Sequence, residues 1–275
     1  MHLRILCAFA AGAGYAGWSL GSSLVSEAKP STVVTVTTTD FAFQAPDTVS
    51  AGLVQFRLVN RGPDLHHLWL VRLDAGRRAV DLLKEFREGQ PTPTWAHDLG
   101  GPNVPPPGQA GVVTVRLTAG RYGLLCLIPG RDGVRHLMKG MVKELTVVGL
   151  ARGGAPPRPD VIVKLIDYDF VLSSPLRHGH QIISVRNAGS QSHMLVFLRL
   201  EPGKTPADYM QWAVRREGPP PGKAFGGTTG MGPGVVNTIQ INLEPGDYGL
   251  ACFEPDAADG KPHVGHGMLK QIRIP

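Results

Sequence analysis

Aromatic residues, blocks of like charge and cysteines are all scarce in this chain, and each scarcity excludes something. Aromatics make up 7% of the 275 residues. No Arg/Lys block interleaves with them, so there is no footprint for nucleic acid. Charged residues are only 18% but are interspersed with apolar ones, which excludes a disordered chain. The net charge of +6 reads as an ordinary soluble basic surface. No HExxH pair, nucleophile motif or phosphate loop is present. Three cysteines are too few for a disulfide scaffold, and Cys7 lies in the apolar N-terminus.

That N-terminus has a basic start, Met1 to Arg4, then an uncharged run from Ile5 to Val25 rich in Ala, Gly and Ser. Residues 1–28 read as a secretory signal, or as an anchor if uncleaved. The chain is therefore expected in the periplasm or outside the cell, meeting a membrane only through an uncleaved N-terminus.

What the chain has in quantity is Gly and Pro, 35 and 24 residues, favouring short strands and turns over long helices. It also repeats itself. Asp40-Phe41-Ala42-Phe43 aligns with Asp167-Tyr168-Asp169-Phe170, and Asn60-Arg61-Gly62 with Asn187-Ala188-Gly189, at an offset of 127. His66 and His193 keep that offset, as do His136 and His263 and the Gly140-Met141 and Gly267-Met268 pairs; Cys126 and Cys252 are 126 apart. Residues 31–149 and 160–275 are thus expected to be two copies of one domain, joined by a Gly/Pro-rich linker at 150–159. Runs such as TVVTVTT (32–38), LVQFRLV (53–59), VVTVRL (112–117) and VKELTVV (142–148) read as strands. HHLWLVRL (66–73), apolar on both faces, reads as a central strand. One helix is expected per copy, at Asp81 to Glu88 and after Thr205-Pro206. The fold class is all-β: two tandem β-sandwiches of about seven strands, each with a short inserted helix. Cysteines at equivalent places in two sandwiches are poorly placed to bond to each other.

The residues that recur are His66, Cys126, His136 and Met141, then His193, Cys252, His263 and Met268. Two imidazoles, a thiolate and a weak axial thioether form the ligand set of a blue-copper centre. Such a set suits both oxidation states, so little moves when an electron does. Other residues have plainer readings. His67, counterpart of Met194, is structural, and His266 belongs to the surface or to a ring behind the ligands. Met138 faces Gly265 in the other copy, which favours Met141 as the axial ligand. Trp69, Trp95 and Trp212 are core or lid residues, and each Cys could be only a small buried hydrophobe.

With Asn60/His66 followed by Tyr122, Cys126, Pro129, His136 and Gly140-Met141, the chain resembles the cupredoxins. Asn187/His193 with Tyr248, Cys252, Pro255, His263 and Gly267-Met268 repeat the pattern. The resemblance implies a Greek-key sandwich, copper at one site per domain at most, and a redox partner protein. It departs from small cupredoxins in the Cys-to-His spacing, ten and eleven residues, which is closer to that of copper nitrite reductases. Those enzymes and the multicopper oxidases carry a His directly before the Cys, where this chain has Leu125 and Ala251. The only His-x-His pair is His178-Gly179-His180. The expectation is therefore an electron-transfer protein and not an enzyme. A metal-free binding module and a copper storage or delivery protein remain as alternatives.

Overall fold

The computed structural model describes residues 32–87, 89–151, 154–215 and 217–275. The expected signal or anchor at 1–28, with Cys7, lies outside the described residues. Among those described, no helix is long and apolar enough to cross a membrane.

The N-terminal half runs β1 (Thr32–Thr39), β2 (Ala42–Gln44), β3 (Thr48–Ser50), β4 (Gly52–Asn60), β5 (Trp69–Leu73), α1 (Asp81–Glu85), β6 (Ala96–Asp98), β7 (Ala110–Leu117), β8 (Gly120–Leu125) and β9 (Val142–Val148). The C-terminal half runs β10 (Val161–Ile166), β11 (Asp169–Leu172), β12 (Gly179–Asn187), β13 (His193–Leu200), α2 (Pro206–Arg215), β14 (Gly222–Met231), β15 (Val236–Leu243), β16 (Gly246–Ala251) and β17 (Leu269–Ile274). The period-two alternation does what it should. In β1, Val34, Val36 and Thr38 are buried while Val33 and Thr35 face out. In β4, Phe56 and Leu58 are fully buried, each adding about 1.5–3 kcal/mol of apolar burial, while Arg57 faces solvent.

Each half is a two-layer sandwich, and the halves join in both layers. One layer is a single eight-stranded sheet, β11-β10-β12-β15-β7-β4-β1-β2. Its seam is the antiparallel β7–β15 pair, with Val113 opposite Ile239. The other layer holds the sheets β3-β9-β8-β5-β6 and β14-β13-β16-β17. Residues 99–102 stitch them together. Leu68 and Leu70 donate to the Pro102 and Gly100 carbonyls at 2.9 Å, while Gly100 donates to Gly230 and Thr229 to Gly101 at 2.8 and 2.9 Å. One hydrophobic cluster, from Val34 to Ile274, runs through both halves.

Three local expectations shift. Residues 66–68 are not strand: Leu68 and Leu70 spend their amides on residues 100–102, so β5 begins at Trp69. The first helix stops at Glu85, because Phe86 turns extended (ψ 128°) and packs on the small cluster around Trp69, Leu82 and Trp95. The second begins as expected at Pro206. There Thr205 Oγ1 accepts from the Asp208 amide (3.2 Å), and the Asp208 carboxylate accepts from the Thr205 amide (2.8 Å).

Candidate metal centres

Each half brings two His and one Cys to one buried point at the same end of its sandwich. The first His follows a turn clamped by asparagine. Asn60 donates from Nδ2 to the Asp64 and Pro105 carbonyls (2.8 and 3.1 Å) and accepts from the Gly62 amide (3.0 Å). Asn187 does the same with the Gln191 and Met231 carbonyls (2.8 and 2.6 Å) and the Gly189 amide (2.9 Å). The glycine has to be one: a Cβ there would lie 2.7 Å from His66 Nε2, or 2.5 Å from His193 Nε2.

The Cys follows the last residue of β8 or β16, strands anchored at their far end by a tyrosine. Tyr122 and Tyr248 hydroxyls donate to the Thr118 and Glu244 carbonyls at 2.7 and 2.8 Å. The long Cys-to-His spacing is absorbed by a small hairpin. Pro129 bridges Arg135, and Pro255 bridges Pro262. The chain thus returns to where it left. Leu137 donates to the Cys126 carbonyl (2.7 Å) and Val264 to that of Cys252 (2.9 Å). A 3-10 turn, His136–Lys139 or His263–His266, follows and ends at a left-handed glycine, Gly140 or Gly267 (φ 91° and 93°). Met141 and Met268 come next, fully buried. Each donates its amide to the preceding His carbonyl (2.9 Å) and accepts at its carbonyl from the Cys amide (3.3 Å).

His66, Cys126 and His136, and likewise His193, Cys252 and His263, are all 0% exposed. In each trio one donor atom per residue lies within 4.8 Å of the others. Cys126 Sγ is 3.5 Å from His136 Nδ1. Cys252 Sγ is 3.4 Å from His263 Nδ1 and 3.9 Å from His193 Nδ1, and the two Nδ1 atoms are 3.0 Å apart. Trigonal bonds of about 2.0 Å to nitrogen and about 2.3 Å to sulfur put N···N near about 3.5 Å and N···S near about 3.7 Å. The observed distances lie within about 0.5 Å of those values. Nδ1 of His66 is buried without a hydrogen-bond partner, a costly state unless its lone pair meets a cation.

The electrostatics agree. Burial pushes the Cys126 thiol up to about 12 and raises Cys252 further. Burial lowers all four imidazoles, His263 to about 4 with His193 beside it adding to the effect. The imidazoles are therefore neutral and able to ligate at pH 7, and a bound cation would drive the thiol to thiolate. Backbone amides of His67 and Ile128 point at Cys126 sulfur, and those of Met194 (3.3 Å) and Glu254 at Cys252 sulfur. Cysteine with two imidazoles is a copper donor set, and copper is the cofactor these residues suit. Both cysteines are free.

His67 holds the loop: its Nε2 accepts from the Leu127 amide (2.8 Å), and burial pushes it down to about 3. Met138 is 53% exposed, and His178 and His180 are both exposed. His266 pairs with Asp259 at 3.1 Å. A third group, Asp256, Asp259 and His266, lies in the second hairpin, but Asp256 is already committed to Tyr168, Gln191 and two backbone amides.

Sequence reasoning missed the residues behind the ligands. Phe41 and Tyr168, both at positive φ (62° and 69°), set their rings against His136 and His263 with centroids 5.2 and 5.5 Å apart. Beside them, Asp40 lies 3.7 Å from His66 Nε2 and Asp167 lies 2.9 Å from His193 Nε2. The signal was there, since Asp40-Phe41 and Asp167-Tyr168 head the repeat. Also missed was Asp98, 7% exposed, at the seam between halves. It accepts from Trp69 Nε1 (3.1 Å) and Thr92 Oγ1 in its own half, and from Ser192 Oγ (2.8 Å), the neighbour of His193, in the other.

Both halves are thus β-sandwiches with a buried His-Cys-His trio at one end. No family model and no curated protein matches it. Among solved structures it is similar to auracyanin B, at 23% identity and TM-score 0.32, over 45% of this chain and 96% of that one. It is also similar to a multicopper oxidase, at 12% identity and TM-score 0.25, over 88% of each chain. A copper-containing nitrite reductase from Thermus scotoductus matches at 15% identity and TM-score 0.24, over 88% of this chain and 61% of that one. The last two are enzymes, and with them among its matches the expectation drawn from Leu125 and Ala251 that this chain is not an enzyme does not stand. The functional argument rests on the trios themselves.

Proposed function

We propose that this is a copper protein with up to two mononuclear blue-copper sites, one in each of two domains spanning 31–149 and 160–275, that exchanges electrons with a redox partner protein. His66, Cys126 and His136 would hold one metal and His193, Cys252 and His263 the other, with the thioethers of Met141 and Met268 as weak further donors. Bound copper supplies one-electron chemistry. The protein's own part is to keep two imidazoles and a sulfur fixed and dry. The amides aimed at each sulfur and the hairpin that returns each His to its Cys do this. The apolar, uncharged stretch from Ile5 to Val25 supports export to the periplasm or beyond.

The observation that carries the reading is the convergence of three buried donor atoms in both halves. The test is Cu(II) titration of residues 29–275, followed by visible absorption and metal analysis, beside Cys126→Ser and Cys252→Ser. The reading expects an intense thiolate-to-copper band that each substitution reduces by about half. No band and no bound copper in the parent protein would sink it.

A further inference from the structure

The two trios are nearly superposable in sequence but not in their surroundings. Behind the first, Asp40 stands 3.7 Å from His66 Nε2 and is 46% exposed. The other carboxylates there are matched by cations: Asp64 pairs with Arg131 at 3.1 Å and Asp132 with Lys139 at 2.7 Å. Lys139 also sits 4.5 Å over the Phe41 ring that covers His136. Behind the second trio, Asp167 accepts directly from His193 Nε2 at 2.9 Å. Asp256, whose side chain is 4% exposed, lies 3.8 Å from His263 Nε2. These two carboxylates are bonded to neutral groups, Ser190 for Asp167 and Tyr168 and Gln191 for Asp256. In the repeat Asp64 gives way to Gln191, Arg131 to Ala258 and Lys139 to His266, while Asp256 stands beside Pro255, the counterpart of Pro129, where the first copy has the uncharged Gly130.

A carboxylate accepting from the far nitrogen of a ligating imidazole makes that imidazole a stronger donor. A second, buried carboxylate adds negative potential that water screens poorly. Both favour the more highly charged state of a bound metal. Resting on the copper reading above, we propose that the sites are built unequal. Asp167 and Asp256 hold the second-half site toward Cu(II), and the cation-matched first-half site favours Cu(I), so an electron shared between them resides on the first.

The experiment is a redox titration of the copper-loaded protein, followed at the thiolate band. Cys252→Ser reports the first site alone and Cys126→Ser the second. The second is expected to have the lower midpoint, by at least tenfold in the electron's distribution, which is about 59 mV for one electron. Asp167→Asn should raise the second midpoint and leave the first where it was. Should either cysteine variant fail to fold, the parent protein still decides the matter. It should titrate in two waves, and Asp167→Asn should move only the lower one. Equal midpoints, the reverse order, or an Asp167→Asn variant that moves neither wave would overturn the proposal with the copper reading intact. Absence of the band from the parent protein would instead remove the copper reading beneath it.

Discussion

At the scale of single residues, the glycine before each first His is the sharpest test of the sites. Gly189→Ala would put a Cβ 2.5 Å from both His193 Nε2 and Asp167 Oδ1. The ring must swing away. Copper affinity at the second trio should fall at least tenfold while the first is unaffected, as metal titration of the Cys126→Ser background would read. Gly267→Ala is the contrast. Nothing lies within 4 Å of its added Cβ, and only the left-handed φ of 93° is strained. It should cost about 1 kcal/mol of stability without displacing a ligand. The tyrosine corners are a stability device. Tyr248→Phe leaves the Glu244 carbonyl without its donor and should cost about 1–2 kcal/mol in denaturant unfolding with the copper band unchanged.

At the scale of elements, what could be read from the sequence divides by the range of the interaction. The alternation of β1, β4, β7 and β9, and the pairing of every trio residue with a counterpart, depend on neighbours in the chain or on the repeat. They were therefore visible. The hairpin between Cys126 and His136 was not, because bridging Pro129 to Arg135 has no turn signature as strong as its result. The start of β5 was misplaced because its amides are taken by residues 100–102, about 30 positions on. Asp98 carried no signal at all. Its burial depends on Ser192, which is 94 residues away. The hairpin makes its own prediction. Arg131 and Lys139 pair with Asp64 and Asp132 on the exposed hairpin face, and exposed pairs contribute little. Arg131→Ala should therefore change stability by less than about 1 kcal/mol. Pro129 and Arg135, whose bridge closes the hairpin, should be far less tolerant of insertion, read as loss of the copper band.

At the scale of the whole molecule, the halves are not beads on a linker. They share a sheet seam at β7–β15, a stitched second layer and one hydrophobic cluster. Calorimetry should show a single cooperative transition instead of two. Buried at the stitched layer is Asp98, which desolvation pushes up to about 6 despite its three donors. Glu254 from the other half faces it and is pushed up to about 8, by burial first and by Asp98 second. The sign follows from linkage. A carboxyl whose folded pKa lies above its unfolded value binds more protons when folded. Its contribution is therefore full below about pH 4 and declines as pH rises through the folded value. Asp98 and Glu254 titrate as a pair, so the loss sets in above about pH 4 and is shared between them as pH rises. Asp98→Asn keeps an acceptor for Trp69 and removes the charge. In the metal-free protein it should flatten that part of the stability profile and raise stability at pH 7, most of all where the unfolding transition is sharpest. If Asp98→Asn unfolds with the parent's pH slope between 4 and 6, the seam carboxylate is not what the halves are working against. The cost would then have to lie with Glu254, whose window extends to about pH 8.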